Sequence, residues 1–580
     1  MLKFMSTVIV LLLACNIHCA TLEDMESFWN NTYKTVNNAH LVNQIQTTET
    51  GFTNELLIKA SPEECFLGIG NSVPAENGIC LEGKERTNES YPYSMAIVGN
   101  NLWFATFTNM VCGFFQQRNM YIPFLNNPQY RGVKICDNNR DNYETPIGTS
   151  KENWRPVHIY KYEIDNNKLI EMTPNDDIIY HTFSLRSAVA YDGIVFFLGQ
   201  PLKSKEHGSI MYAYNNDTGE YLGHFELKGY NNSRNWLITP HGLYVIVNRY
   251  DSTYSDVLKW IGNKKNVFSF EKVGTIDGYL ASMVYYQGRI LADTWQATYS
   301  SKAKGMEIFM SPKLTGDGLT EADADKWQKV WGIEDYEPDP ATAAAYAGGA
   351  MAVYGDYVYF GSMNIPLTGT AMHILKNGLN PVDIVPSVIG AWRAAVLFRG
   401  KDFGTSNQKV EVLYGTEKMP VFEKGRWVFK ENKIGKPLYG QAGFGNPLNG
   451  YMWYMAVYDN KLFVGTSDFS YELLTNVDPI VVRLLNLVFR NIPDIYEINT
   501  KYLPFKNSFD YGADLYYFKD TNSPAIAVTK RGFGNYSNMG VRTMQADDTG
   551  LYLGIVNPMN LINEPDVKGG FEIRRITAIP

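Results

Sequence analysis

The chain has 580 residues, a formal net charge of -8, and 45% apolar and 14% aromatic residues, with 39 tyrosines. That much apolar material is enough to build a sizeable core, which excludes wholesale disorder. The acidic balance argues against a protein that coats nucleic acid, because no basic face is advertised.

In chain order, "MLKFMSTVIVLLLACNIHCA" opens with one lysine, an apolar run from Val8 to Ala14, and small residues. The run is too short to span a bilayer and reads as a secretory leader over residues 1–20, cleaved after Ala20. "LLLAC" also looks like a lipobox, which would make Cys15 a lipidated N-terminus in a bacterial protein. No later segment has the length and apolarity of a transmembrane helix. The localisation expected is therefore secreted or extracytoplasmic. Residues 21–50 form an N-terminal segment, read as helical over 21–46, where Leu22, Met25, Phe28, Trp29 and Tyr33 offer an apolar stripe.

Cleavage leaves Cys65, Cys80, Cys112 and Cys136, an even set in an oxidising compartment. Of the three possible connectivities, Cys65–Cys80 and Cys112–Cys136 each close a local loop. The spacing lacks the close ligand pairs of a zinc site. Asn30, Asn88, Asn216, Asn231 and Asn535 head sequons, which permits a secreted glycoprotein.

From residue 51 onward one phrase recurs. "YSMAIVGNNLWFATF" begins at Tyr93, "RSAVAYDGIVFFLGQ" at Arg186, "NWLITPHGLYVIVNR" at Asn235 and "ASMVYYQGRILADTW" at Ala281. "GAMAVYGDYVYFGSM" follows at Gly349, an interrupted "RAAVLFRGK" at Arg393, "WYMAVYDNKLFVGTSD" at Trp453 and "RTMQADDTGLYLGIV" at Arg542. Each is an apolar strand, a turn of Asp, Asn or Gly, and a second strand, which is a hairpin signal. One or two further strand-like runs follow most copies. Four short antiparallel strands per unit predict an all-β fold, a β-propeller of eight blades with seven as the alternative, spanning residues 51–580. The last blade runs short of strands, and Thr53–Ala60 could complete it beside "GGFEIRRI" and close the ring. The repeat resembles that of β-propeller proteins in general, of the kelch-like and WD-like kind. The Gly-His…Trp-Asp signature is not present as a regular pattern, so the resemblance implies architecture and no family's residues.

Insertions with short helices are expected near 107–155, 311–345 and 470–505. "DNNRDN" (Asp137 to Asn142) looks like half a calcium loop but lacks the glycine and closing glutamate. Thr320 could cap a helix in "LTEADADKWQKVWG". An amphipathic helix over 479–492, polar at Arg483, Asn486 and Arg490, is expected to pack on the flank, with a lid over the channel mouth or a surface contact to a partner or membrane as the alternatives.

Aligning the copies places one residue per unit where the first strand opens: Tyr93, Arg186, Asn235, Ala281, Gly349, Arg393, Trp453 and Arg542. Were the three arginines to face the channel, their guanidinium groups would form an anion-binding ring, with Tyr93, Trp453 and Asn235 beside it. Were each instead to meet an Asp or Glu, they would merely pin neighbouring blades. Catalytic patterns are poor: there is no HExxH, P-loop or G-x-S-x-G, and no cofactor fingerprint. His181 as a base and Asp293 as a carboxylate or metal ligand are the residual candidates, and His241 falls in a hairpin turn. The expectation is a binding or scaffold protein for an anionic small molecule, glycan or protein, with no cofactor, though calcium is possible. The alternative is a propeller enzyme, a metal-dependent hydrolase or lyase acting on a carboxylated or sulfated substrate. A tyrosine-rich coat protein is a third reading, disfavoured because the tyrosines fall in strand-like runs.

Overall fold

A computed structural model describes residues 39–47, 50–68, 71–110, 154–204, 206–295, 303–365, 367–378, 384–470, 511–562 and 567–579. The leader over 1–20, Cys15, Asn30, the Cys112–Cys136 pairing, the polar loop at 137–142 and the helix over 479–492 lie outside these residues.

Seven four-stranded antiparallel units make up the ring. Their first strands are Glu89–Val98, Thr182–Tyr191, Tyr230–Thr239, Tyr279–Tyr286, Ala347–Tyr354, Asn449–Tyr458 and Gly540–Asp547, which define blades 1 to 7. Each of these strands touches the first strand of the next blade, and that of blade 7 touches that of blade 1, so the circle closes. The reading of an eighth unit at Arg393 is corrected. Leu397–Lys401 pairs with Tyr357–Met363, and Lys409–Gly415 pairs with Leu397–Lys401, so both are outer strands of blade 5. Two helices, Thr368–Asn377 and Ile384–Ala391, fall between the second and third strands of that blade. They hide the continuity of its sheet from a linear reading.

Seven apolar clusters occupy the seven interfaces between neighbouring blades. Between blades 2 and 3, for example, Phe196 and Leu198 meet Trp236 and Val245, and between blades 6 and 7 Phe463 and Leu515 meet Val541 and Leu553. A blade buried on both faces has no polar side to show, which is why its first two strands are apolar without alternation. The glycine near the end of several second strands marks where the next blade presses in. A Cβ on Gly465 would lie 2.6 Å from Cβ of Val541, and one on Gly361 would lie 2.3 Å from Cβ of Met452.

Closure follows the expectation. Phe52–Ala60 pairs antiparallel with Glu572–Ala578, so the N-terminal part of the ring supplies the outer strand of blade 7. Ala39–Thr47 pairs in turn with Phe52–Ala60, so the end of the stretch read as helix is a fifth strand on that blade. In the 311–345 insertion Thr320 does cap, its N–H donating to Asp323 Oδ2 at 3.0 Å, but only the single turn Glu321–Asp323 is helical. Gln328–Gly332 beyond it is the outer strand of blade 4. Cys65 and Cys80 are disulfide-bonded within a small side sheet over residues 64–86. Asn88, Asn216 and Asn535 are buried, and Asn216 accepts the indole N–H of Trp103 at 3.0 Å. Folding thus leaves these three sequons unsuited to carry glycan, and Asn231 is the partly exposed one.

A second repeat escaped the linear reading. "GFGNPLN" (Gly443 to Asn449) and "GFGNYSN" (Gly532 to Asn538) form the same corner ahead of blades 6 and 7. In each the phenylalanine adopts positive φ (Phe444, Phe533), and the last asparagine folds back to donate to the first glycine's carbonyl, at 3.0 and 2.8 Å.

Candidate functional site

The pairing register of every first strand slips within the strand, and in blades 1, 2, 3 and 6 it slips once more near the strand's start. The residues inside the slip shared by all seven are Tyr93, Arg186, Arg234 with Asn235, Ala281 with Ser282, Gly349 with Ala350, Trp453 and Arg542. The column drawn from the sequence is therefore a ring of β-bulges, Arg393 apart. A bulge bends its strand and re-aims a side chain out of the pleat, which is what brings these residues toward the centre.

Blades 1, 2, 3 and 7 use their bulges to enclose a cavity of about 210 Å³, lined by Tyr93, Arg186, Arg234, Asn235, Tyr454 and Arg542 among others. It follows the first strands as far as Ile97, Ala190 and Ile238, the last of which is 51% exposed and marks the open side. The opposite side is closed by an aromatic plug containing Tyr91, Phe107, Phe183, Tyr451 and Trp453. Trp453 thus serves the plug: it stacks on Tyr451 at 5.3 Å and meets Tyr91 edge-on at 5.6 Å.

Three arginines share two aromatic platforms. Arg542 lies 4.9 Å and Arg186 5.3 Å from the Tyr93 ring, and Arg186 also lies 4.7 Å from the Trp295 ring. Arg234 lies over Trp295, 3.4 Å from its ring centre, and donates from Nη2 to the Tyr451 hydroxyl at 2.7 Å. Arg186 Nη1 donates to Asn232 Oδ1 at 3.3 Å, and Arg542 Nη2 to the Arg186 carbonyl at 3.4 Å. Buried Arg186 Nε and Arg234 Nη1 have no hydrogen-bond partner among the described residues.

The missing counter-charge sets these three apart from the other arginines withdrawn into the fold; among the described residues Arg289 and Arg426, nearer the surface, also lack one. Arg86, Arg155, Arg249, Arg393, Arg399, Arg574 and Arg575 each pair with a carboxylate. Among the described residues Arg186, Arg234 and Arg542 form no ion pair. Burial above all, then the like charge of Arg186, pulls Arg234 down to about 9, and burial and Arg542 likewise lower Arg186, in each case against neighbouring tyrosines. Arg234 also feels Asp293, whose burial pushes its carboxyl well up and so favours the uncharged acid. Asp293 accepts the Ser282 N–H at 2.7 Å and lies against Gly348, between blades 4 and 5.

The remaining expected residues are elsewhere. Arg393 holds Glu337 through two bonds, Nε to Oε2 at 2.7 Å and Nη2 to Oε1 at 3.1 Å, and donates also to the carbonyls of Gly390, Trp392 and Pro420. It is a pin inside blade 5, away from the cavity. Asn235 lines the cavity and also accepts the Met283 N–H at 3.1 Å, linking blade 3 to blade 4. His181 packs against His207, ring centres 4.1 Å apart, and His241 donates to the Gly316 carbonyl at 2.8 Å. No group of three or more His, Cys, Asp or Glu among the described residues is placed to hold a metal ion. Arg234 was missed because the slip in blade 3 spans two residues, so alignment on a single column picked Asn235. Trp295 was missed because it ends a second strand. The "SRNW" at Ser233 to Trp236 was the only linear sign of the former.

No protein-family model matches the chain, and no curated protein matches it. Among solved structures, the chain is similar to the β-propeller domain of the trilobed protease from Pyrococcus furiosus, with 8% identity, 86% of this chain and 97% of that one covered, and a TM-score of 0.35. A putative 6-phosphogluconolactonase from Bacteroides fragilis shows 9% identity over 74% of this chain and 90% of that one, TM-score 0.33. An exo-β-1,3-galactanase from Phanerochaete chrysosporium shows 10% identity, TM-score 0.27, over 50% of this chain and only 59% of that one. Likenesses this remote carry no argument about activity.

Proposed function

We propose that the protein is an extracytoplasmic binding protein whose central cavity takes an anionic ligand. One observation carries this reading: among the described residues Arg186, Arg234 and Arg542 line one cavity and form no ion pair, whereas the buried arginines Arg86, Arg155, Arg393, Arg399 and Arg574 each hold a carboxylate. Uncompensated like charges away from bulk water are costly, and an anion in the cavity removes that cost. The aromatic platforms leave the guanidinium edges free, and the edges are the part that grips oxyanions. The Cys65–Cys80 bridge supports an oxidising compartment, in keeping with the expected leader.

The test is a thermal-shift titration with phosphate, sulfate, simple carboxylates and acidic sugars, each against sodium chloride of equal ionic strength. At least one anion should raise the melting temperature of wild type and leave Arg542→Gln unmoved. Equal responses in the two proteins would remove the cavity as the site.

A further inference from the structure

Resting on the anion reading, we infer that the ligand is a dianionic phosphate monoester of a small organic alcohol, its phosphoryl group on the three arginines and its body along the first strands of blades 1 to 3. Charge is the first argument. Three guanidinium groups from three blades meet here with no ion pair among the described residues, so a single negative charge would leave two of them uncompensated. A carboxylate or a sulfate ester carries one charge at neutral pH, whereas a phosphate monoester carries close to two.

Donor geometry is the second. The ring centres of Trp295 and Tyr93 lie within 3.4 to 5.3 Å of the three guanidinium carbons and the rings cover part of each group, so a ligand is met by the N–H groups. Two of their nitrogens, Arg186 Nε and Arg234 Nη1, are buried with no hydrogen-bond partner among the described residues, and they belong to different blades. Guanidinium groups brought to one cavity by three different blades suit the spread oxygens of a tetrahedral phosphoryl group better than the two coplanar oxygens of a carboxylate.

Size is the third. The cavity of about 210 Å³ has room for more than a bare phosphate, and it continues past the arginines to Ile97, Ala190 and Ile238. The first strand of each of blades 1 to 3 is paired in its sheet on one side only. Its other edge faces the channel, so the wall beyond the arginines presents backbone amides alongside small and aliphatic side chains. An organic body with both apolar and hydrogen-bonding parts fits such a wall.

Isothermal titration at pH 7.5 with phenyl phosphate, phenyl sulfate, inorganic phosphate and malonate separates the possibilities. Phenyl phosphate and phenyl sulfate share shape and differ in charge, so the expected result is a phosphate ester bound about tenfold or more tighter than the sulfate ester. It should also bind tighter than inorganic phosphate or malonate, and lose at least tenfold in Arg234→Gln and, separately, in Arg542→Gln. Equal binding of the two esters, or tighter binding of malonate, would overturn the phosphate assignment while leaving an anion site in place. Tighter binding of inorganic phosphate than of the ester would overturn the placement of the body. If none of the four binds at 10 mM (an order-of-magnitude ceiling for a specific site), the anion reading itself fails.

Discussion

Replacing Arg234 by methionine should stabilise the ligand-free protein, although it deletes a hydrogen bond and a stacked cation. The guanidinium is pulled from its ordinary value down to about 9, through burial first and then through Arg186. At 1.36 kcal/mol per pH unit this is about 5 kcal/mol held against the charged form. Arg234 is only half-buried and borders the open cavity, so water screens part of that penalty, and a net gain of about 1–3 kcal/mol is a sounder expectation. The sign with pH is fixed by the lowered value. The penalty is complete below about pH 9 and fades as pH rises toward the unfolded-state value, so it is fully present at pH 7.5. For a chain of this size each kcal/mol moves the melting temperature by about one degree. Calorimetry at pH 7.5 in buffer free of multivalent anions should show Arg234→Met melting roughly 1–3 degrees above wild type, with the order reversing once a bound anion stabilises the wild type. A variant that melts several degrees lower without any ligand would refute the reasoning, because it would mean that the guanidinium is compensated from within the protein.

Arg393→Met should do the opposite, costing about 3–5 kcal/mol because it strands Glu337 in the interior; chemical denaturation would read the loss, and a neutral result would show the pair to be dispensable. His158, partly withdrawn from solvent but held up at about 9 by Glu171 and Glu89, should add about 2 kcal/mol of stability that is complete below about pH 6.5 and disappears as pH rises through 9. His158→Gln should flatten that part of the stability–pH curve, and an unchanged curve would discount the ion pairs. Gly465→Ala would set a Cβ against Val541 across the interface of blades 6 and 7 and should cost about 1–3 kcal/mol; an unfolding midpoint equal to wild type would mean that the interface has slack.

Much of the ring was legible in the chain. The hairpin phrase located the first strands of all seven blades, because a strand buried on both faces must be written in apolar residues and its turn in Asp, Asn or Gly. Thr53–Ala60 was legible as the closing strand for a related reason: the last blade lacked a partner for its edge. The linear reading failed where spacing misleads. The helices Thr368–Asn377 and Ile384–Ala391 separate strands of one sheet, so the outer half of blade 5 looked like a new unit. Ala39–Thr47 was read with the apolar stripe that precedes it, while its strand form depends on Phe52–Ala60 beside it.

The site divides along the same line. The recurrence of Tyr93, Arg186, Trp453 and Arg542 at one point of the repeat is a property of the sequence alone, since equivalent positions in stacked blades occupy equivalent places around an axis. Whether an arginine at such a point is a pin or part of a binding surface is not a local property. Arg393 meets Glu337 from 56 residues away and is neutralised. Arg234 meets Trp295 and Tyr451 from two other blades and forms no ion pair among the described residues. The sequence by itself determined the blade, its turns and the column of residues aimed at the hub. Only the tertiary structure decided which charges there remain uncompensated, because compensation depends on side chains that the closed ring brings together from distant parts of the chain.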